Sequence, residues 1–228
     1  MATLYSPKIV TDGLALCLDA GNRKSYPSSG TTWNDLSGNG NTGTLVNGPT
    51  YTGSFGGSIV FDGTNDYVST TSSYSLSSAT FVAWINSSTT QPQYSGIIFS
   101  RNALSNASAM SFQTGNVLGY HWNNDANTYN WNSGLVVPNN SWSMVAVSIS
   151  PASASAYIYN ASGVFSATNI LSHLLVSNLN FDIGRDPYVS GGNRYFTGRI
   201  STAAVYSRSL NSSEVLQNYN ATKARFGL

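Results

Sequence analysis

Between Leu14 and Tyr206 short apolar runs and turn clusters alternate almost without a break. Leu14, Leu16 and Leu18 stand two apart, the period of a half-buried strand. The same reading predicts strands at Thr44–Val46, Ser58–Phe61, Asp66–Val68, Thr80–Ile85, Gly96–Phe99, Val117–Trp122, Trp142–Ile149, Ala156–Tyr159, Phe181–Ile183 and Phe196–Tyr206. Asp62-Gly63 between two of these runs is a hairpin signal, and Asn160 to Gly163 marks another turn. Many short strands with turns at even spacing point to an all-β sandwich of two antiparallel sheets. Only the end reads as helix. Asn211 is placed to cap it, with Glu214 three residues on as in a capping box, and Leu210 and Val215 as a hydrophobic staple. Residues 1–228 are expected to form one domain, with 1–12 an arm and 210–228 a helix and tail.

Composition narrows the function. The chain has 228 residues, of which 8% are charged and 41% hydrophobic, so a large core is available with little charge outside it. Asn, Ser and Thr together number 82, side chains that favour turns, caps and strand surfaces over long helices. Net charge is +1 with no basic run, which excludes phosphate-driven nucleic-acid binding. One cysteine, Cys17, rules out an internal disulfide. No apolar run suits a membrane span or a cleaved signal, so membrane insertion is not expected and synthesis is expected in a cytoplasm without export through a cleaved signal. Six glycosylation sequons, the first at Asn86, are read as chance in an Asn- and Ser-rich chain.

Catalysis is not expected. Glycoside hydrolysis normally takes two carboxylates about 5–10 Å apart, and the chain has one glutamate, Glu214, assigned to the helix cap. His121 and His173 lie near no Ser or Cys motif and are read as polar residues on a strand or loop. Asp19, Asp62 and Asp66 sit at turns and offer oxygens for a calcium ion. Turn stabilisation by their own side chains explains the same pattern.

The stretch Tyr120–Asn132, YHWNNDANTYNWN, gathers aromatic rings and amides with no aliphatic residue larger than alanine. With Val117–Trp122 as a strand, Leu118, Tyr120 and Trp122 share a face. Tyr129 and Trp131 would share one on a returning segment, with Asn123, Asn124, Asp125 and Asn127 in the loop between. Aromatic faces stack on the C–H surfaces of sugars while amides and a carboxylate bond the hydroxyls. Tyr120, Trp122, Asn123, Asn124, Asp125, Tyr129 and Trp131 are therefore the candidate carbohydrate site. The same residues also fit an assembly contact or a core. Arg185-Asp186-Pro187-Tyr188 and Arg194-Tyr195 form a second polar-aromatic patch, read either as part of the same rim or as a loop held by an Arg–Asp pair. Trp84 and Trp142 read as core, and Trp33 stays open.

The ordered blocks GLALCLDAGN, TTWNDLSGNGNTGTL, GGSIVFDGTNDYV, TFVAWI, SWSMVAVSI and YFTGRISTAAVYSRSLNSSEV resemble the laminin-G-like group of the concanavalin-A-like lectin/glucanase superfamily. The ends MATLYSPKIVTDGL and NYNATKARFGL resemble structural proteins of marine tailed phages. The resemblance implies a jelly roll and carbohydrate recognition as a common activity. For this chain it implies a lectin-like adhesion module on a virion surface, or a capsid-decoration or fibre subunit that binds only its neighbours. The expected partners are a glycan or cell-surface polysaccharide, other virion proteins and further copies in a homo-oligomer. Relatives often hold calcium at one rim, but their aspartate in the late strand is Ser201 here.

Overall fold

The computed structural model describes residues 7–71, 73–102, 106–178, 180–188 and 194–228. Two large antiparallel sheets pack face to face as a jelly-roll sandwich. The first has eight strands. Gly163–Asn169 forms one edge, followed by Ala154–Asn160, Trp142–Ile149, Ala79–Ser87, Thr197–Tyr206, Ser58–Asp62 and Thr50–Thr52, with Leu14–Asp19 also paired to Thr197–Tyr206. The second runs Val117–Trp122, Asn106–Gln113, Gly96–Asn102, Asp182–Ile183, Tyr67–Thr70, Gly43–Val46 and Thr32–Trp33. Tyr74–Leu76 and Val176–Asn178 make a small separate ribbon. No helix of the described residues is long and apolar enough to cross a membrane.

Register shows how alternation sorts the second sheet. Leu45, Val68, Ile183, Ile98, Met110 and Tyr120 stand opposite one another across the strands and all enter the main core. One residue along, Thr44, Ser69, Asp182, Phe99, Ala109 and His121 form the neighbouring row on the outer face. Trp33 is fully buried in the same core, which resolves its ambiguity.

The first sheet is buried on both faces. Phe81, Ala83 and Ile85 face the main core, while Val82 and Trp84 face a second apolar cluster. That cluster is closed by the C-terminal helix Ser212–Thr222 and the short 3-10 turn after it. Trp84 stacks on Phe226 at 4.0 Å and on Tyr219 at 5.8 Å. The capping box is present: Asn211 accepts from the Glu214 N–H at 3.0 Å, and Glu214 accepts from the Asn211 N–H at 2.9 Å.

Three expectations need correction. Asp62-Gly63 is not a hairpin turn, because Ser58–Asp62 and Tyr67–Thr70 belong to different sheets and the turn carries the chain across the sandwich. Asn106–Gln113, unpredicted, is the second strand of its sheet; its NASAMSFQ sequence has few large apolar residues. The segment after Val117–Trp122 does not return as a strand. Asp125 accepts from the Asn127 N–H at 2.9 Å and caps a single helical turn, Ala126–Tyr129.

Candidate functional site

Asn123 and Asn124 both have φ of 54°, the left-handed region that asparagine tolerates better than most residues. They turn the chain sharply out of strand Val117–Trp122 into the Asp125-capped helical turn. The turn divides the candidate residues between the interior and two cavities. Tyr120 and Trp122 are 0% and 1% exposed, with rings in the main core. Their polar atoms are satisfied there. The Trp122 Nε1–H donates to the Leu174 carbonyl at 2.7 Å. The Tyr120 hydroxyl lies 3.0 Å from His173 Nε2 and accepts from Asn169 Nδ2 at 3.0 Å. Burial pushes the Tyr120 phenol up to about 12. Neither ring presents an open face to solvent. Trp131, half-buried, packs edge-on to Tyr120 at 5.7 Å.

Beside Trp122, a cavity of about 260 Å³ is bounded by Asn123, Asp125, Thr128, Ser172, His173 and Leu174. Across the turn, on the outer face of the second sheet, lies another of about 160 Å³. It is lined by Tyr94, Arg101, His121, Asn124, Tyr129, Tyr188 and Arg194. Here the two polar-aromatic stretches of the sequence meet. Arg–Asp pairs hold the second patch, one of the two readings its sequence allowed. Arg185 binds Asp182 at 2.7 Å, not Asp186. Asp186, its side chain fully buried, holds Arg101 through two bonds of 2.8 and 3.0 Å and Arg194 at 2.5 Å. One carboxylate thus fixes two guanidinium groups, leaving the trio with a net positive charge.

His121 sits at the floor of this cavity, stacked on Tyr129 at 5.6 Å and edge-on to Tyr94 at 5.4 Å and Phe99 at 4.8 Å. Burial, then the charges of Arg101 and Arg194, holds the imidazole well below its ordinary range, so the ring is neutral near pH 7. Both ring nitrogens are buried without a hydrogen-bond partner among the described residues. Arg194 lies over the Tyr188 ring at 4.3 Å and the Tyr94 ring at 4.9 Å, and Arg101 over Tyr188 at 5.0 Å. The assembly is rigid, aromatic and rich in donors. Of its members, sequence reasoning named Asn124 and Tyr129 directly and Tyr188 and Arg194 as the second patch. It missed Tyr94, Arg101 and the role of His121. The period-2 alternation in Val117–Trp122 was the available signal for His121, since it sets that ring on the face opposite Tyr120.

The proposed calcium ligands do not come together. Both carboxylate oxygens of Asp19 are taken by Arg225, at 2.6 and 2.8 Å. Asp62 accepts from the N–H groups of Thr64 and Asn65, and Asp66 accepts from the Asp62 N–H at 3.0 Å. Among the described residues no three His, Cys, Asp or Glu side chains form a cluster suited to a metal ion. The turn-stabilising reading accounts for Asp62 and Asp66. The residues do not fit a calcium centre built from these three aspartates.

Residues 62–216 match the family model Laminin_G_3 of the concanavalin A-like lectin/glucanases superfamily. The chain belongs to this family. Among solved structures it is similar to domain 4 of AbnA, a GH43 extracellular arabinanase from Geobacillus stearothermophilus, in complex with arabinotriose. That likeness has 17% identity and a TM-score of 0.64 over 91% of this chain and 98% of the other. Trypanosoma rangeli sialidase in complex with the inhibitor DANA is similar at 13% identity and TM-score 0.64, over 99% of this chain and 36% of the sialidase. The chain therefore spans about a third of that enzyme. At these identities the likeness establishes the fold. No curated protein matches.

Proposed function

We propose that the chain is a non-catalytic glycan-binding module displayed on the surface of a phage virion. The observation that carries this reading is the cavity where Tyr94, Tyr129 and Tyr188 converge with Arg101, Arg194 and Asn124 above His121, whose ring nitrogens have no hydrogen-bond partner among the described residues. Aromatic faces and fixed donors held by a buried carboxylate are what a preformed saccharide site needs. Its small volume suits one ring or substituent, the rest of the glycan lying across the exposed rim. The similarity to an arabinanase domain solved with arabinotriose supports the reading, as does the family. The absence of catalysis rests on Glu214. Arg208 holds both its oxygens, at 3.1 and 2.5 Å, and it caps the C-terminal helix. Among the described residues no carboxylate lines the tyrosine cavity. Display on a virion rests on the likeness of the chain ends to phage structural proteins. Many copies on one particle would turn weak single-site binding into firm adhesion.

A glycan array tests the reading. Selective binding is expected, and Tyr129→Ala or Tyr188→Ala should abolish it while the thermal melt is nearly unchanged. A blank array, or binding indifferent to both substitutions, rejects it.

One observation favours the structural alternative, a decoration or fibre subunit. The edge strand Gly163–Asn169 and the segment after it expose Val164, Phe165, Ile170, Leu174 and Leu175, with Ile170 81% exposed. An apolar strip beside an unpaired sheet edge is a contact surface. Under this reading light scattering finds a defined oligomer that Ile170→Asp with Leu174→Asp dissolves. A monomer throughout rejects it.

A further inference from the structure

A second and larger recess lies on the opposite sheet, just beyond the end of the C-terminal helix. It has a volume of about 450 Å³. Register explains its floor. Val60, Arg199, Asn86 and Trp142 stand opposite one another across four strands of the first sheet, on the face turned away from the main core. The helix covers Trp84 and its neighbours but stops short of this row. Phe55, Asn140, Ser141 and Phe226 raise the walls.

Four features of the recess are unexplained by folding. Arg199 is half-buried in mid-strand, yet it makes no ion pair or side-chain hydrogen bond among the described residues. A guanidinium there is a planar fork of donors without an acceptor, and a carboxylate or sulfate is its natural complement. Trp142 is 6% exposed, and its Nε1–H is buried without a hydrogen-bond partner among the described residues. The half-buried Asn86 amide also makes no hydrogen bond among the described residues, and Asn140, exposed at a turn with φ of 55°, adds its amide to the same wall. Phe55 has φ of 53°, unfavourable for a bulky residue, and is 49% exposed. That strained turn holds its ring edge-on to Trp142 at 5.9 Å. Glycine at this position would remove the strain, so the half-exposed ring beside Trp142 needs a reason.

We infer that this recess is a second saccharide site, specific for acidic sugars. Arg199 pairs with a carboxylate or sulfate on the sugar, Phe55 stacks on its C–H face, and the Asn86 and Asn140 amides bond its hydroxyls. The two sites lie on outer faces of opposite sheets, so one copy of the chain would bridge two glycan strands. This site uses none of the residues of the tyrosine cavity, and it stands or falls separately.

The probe is an array of carboxylated and sulfated oligosaccharides beside their neutral counterparts, followed by titration calorimetry of the best binder. Acidic sugars are expected to be retained over their neutral forms, with affinity at least tenfold lower in Arg199→Gln and in Phe55→Gly. Phe55→Gly should melt no lower than the parent chain, which separates loss of the site from loss of the fold. Tyr129→Ala should leave acidic-sugar binding intact. The Trp142 indole N–H resonance should shift on titration in the unmodified chain. Absence of any acidic-sugar binding overturns the proposal. So does binding that survives both Arg199→Gln and Phe55→Gly. Acidic-sugar binding lost in Tyr129→Ala but kept in Arg199→Gln assigns the ligand to the tyrosine cavity and overturns the second site.

Discussion

On the outer face of the first sheet, Trp84 lies sealed beneath Tyr219 and Phe226; on the outer face of the second, Tyr129 and Tyr94 lean over His121 and stay half-buried. Both faces carry aromatic rings, Trp84 and Trp142 on strands of the first and His121 on a strand of the second with Tyr94 and Tyr129 from the segments beside it. One became a second core because an amphipathic helix was laid across it. The other kept its rings at a rim because only loops flank it, and those loops bring arginines. Guanidinium groups must keep their donors satisfied, so they line up on Asp186 while their planes lie over the tyrosine rings. A helix-covered face is closed by apolar contact. A loop-flanked face is held open by its charges.

This contrast breaks most severely at Trp84. Trp84→Ala should cost about 4 kcal/mol in urea unfolding, as expected for deleting a fully buried large aromatic side chain. Glycan binding at the tyrosine cavity should persist below the melting point. If binding vanishes while the chain is still folded, the two faces are coupled and the contrast is wrong. Asp186→Asn attacks the other face. It strips the shared acceptor from two largely buried arginines and should cost about 3 kcal/mol. Here glycan binding should be lost well below the melting temperature, because Arg101 and Arg194 are no longer aimed. A loss below about 0.5 kcal/mol would mean that the arginines are as well solvated as exposed surface ions.

The smallest expected effect is one of pH. His121 is kept neutral by burial and by two arginines, and burial also lowers His173. An unfolded chain takes up protons at both as pH drops below about 6.5, while the folded chain resists. Stability is therefore complete above that value and declines as pH falls, by at most about 1.4 kcal/mol per pH unit for each histidine. Urea midpoints at pH 7.5 and 5.5 measure it. His121→Gln should shrink the difference, and an unchanged difference would assign it to His173 and the carboxylates.

Much of the sandwich was legible because apolar strand runs such as Val117–Trp122 and Trp142–Ile149 are bounded by turn residues, and their predicted and observed ends agree. Asn106–Gln113 escaped because Ala107 and Ala109 are small where a strand usually shows Val or Ile. They are small for a tertiary reason. Ala109 stands between Phe99 and His121 in register, and those two rings close over it. The candidate site was legible in its residue types and not in its arrangement. Trp122 and Tyr129 look equivalent in a string of aromatics and amides. One enters the core and the other rims a cavity because two asparagines at positive φ and the Asp125 cap turn the chain between them.

The sequence by itself determined an all-β chain of short strands, a capped helix at its end, and a pool of aromatic and amide side chains with few charges. Those properties are local, set by alternation, turn chemistry and capping within a few residues. Only the tertiary structure decided which rings became core and which became surface. It also decided that Asp186 would hold Arg101, 85 residues earlier in the chain, and that Asp19 would be claimed by Arg225. Such pairings depend on strand order and on which face a loop covers, and no spacing along the chain encodes either.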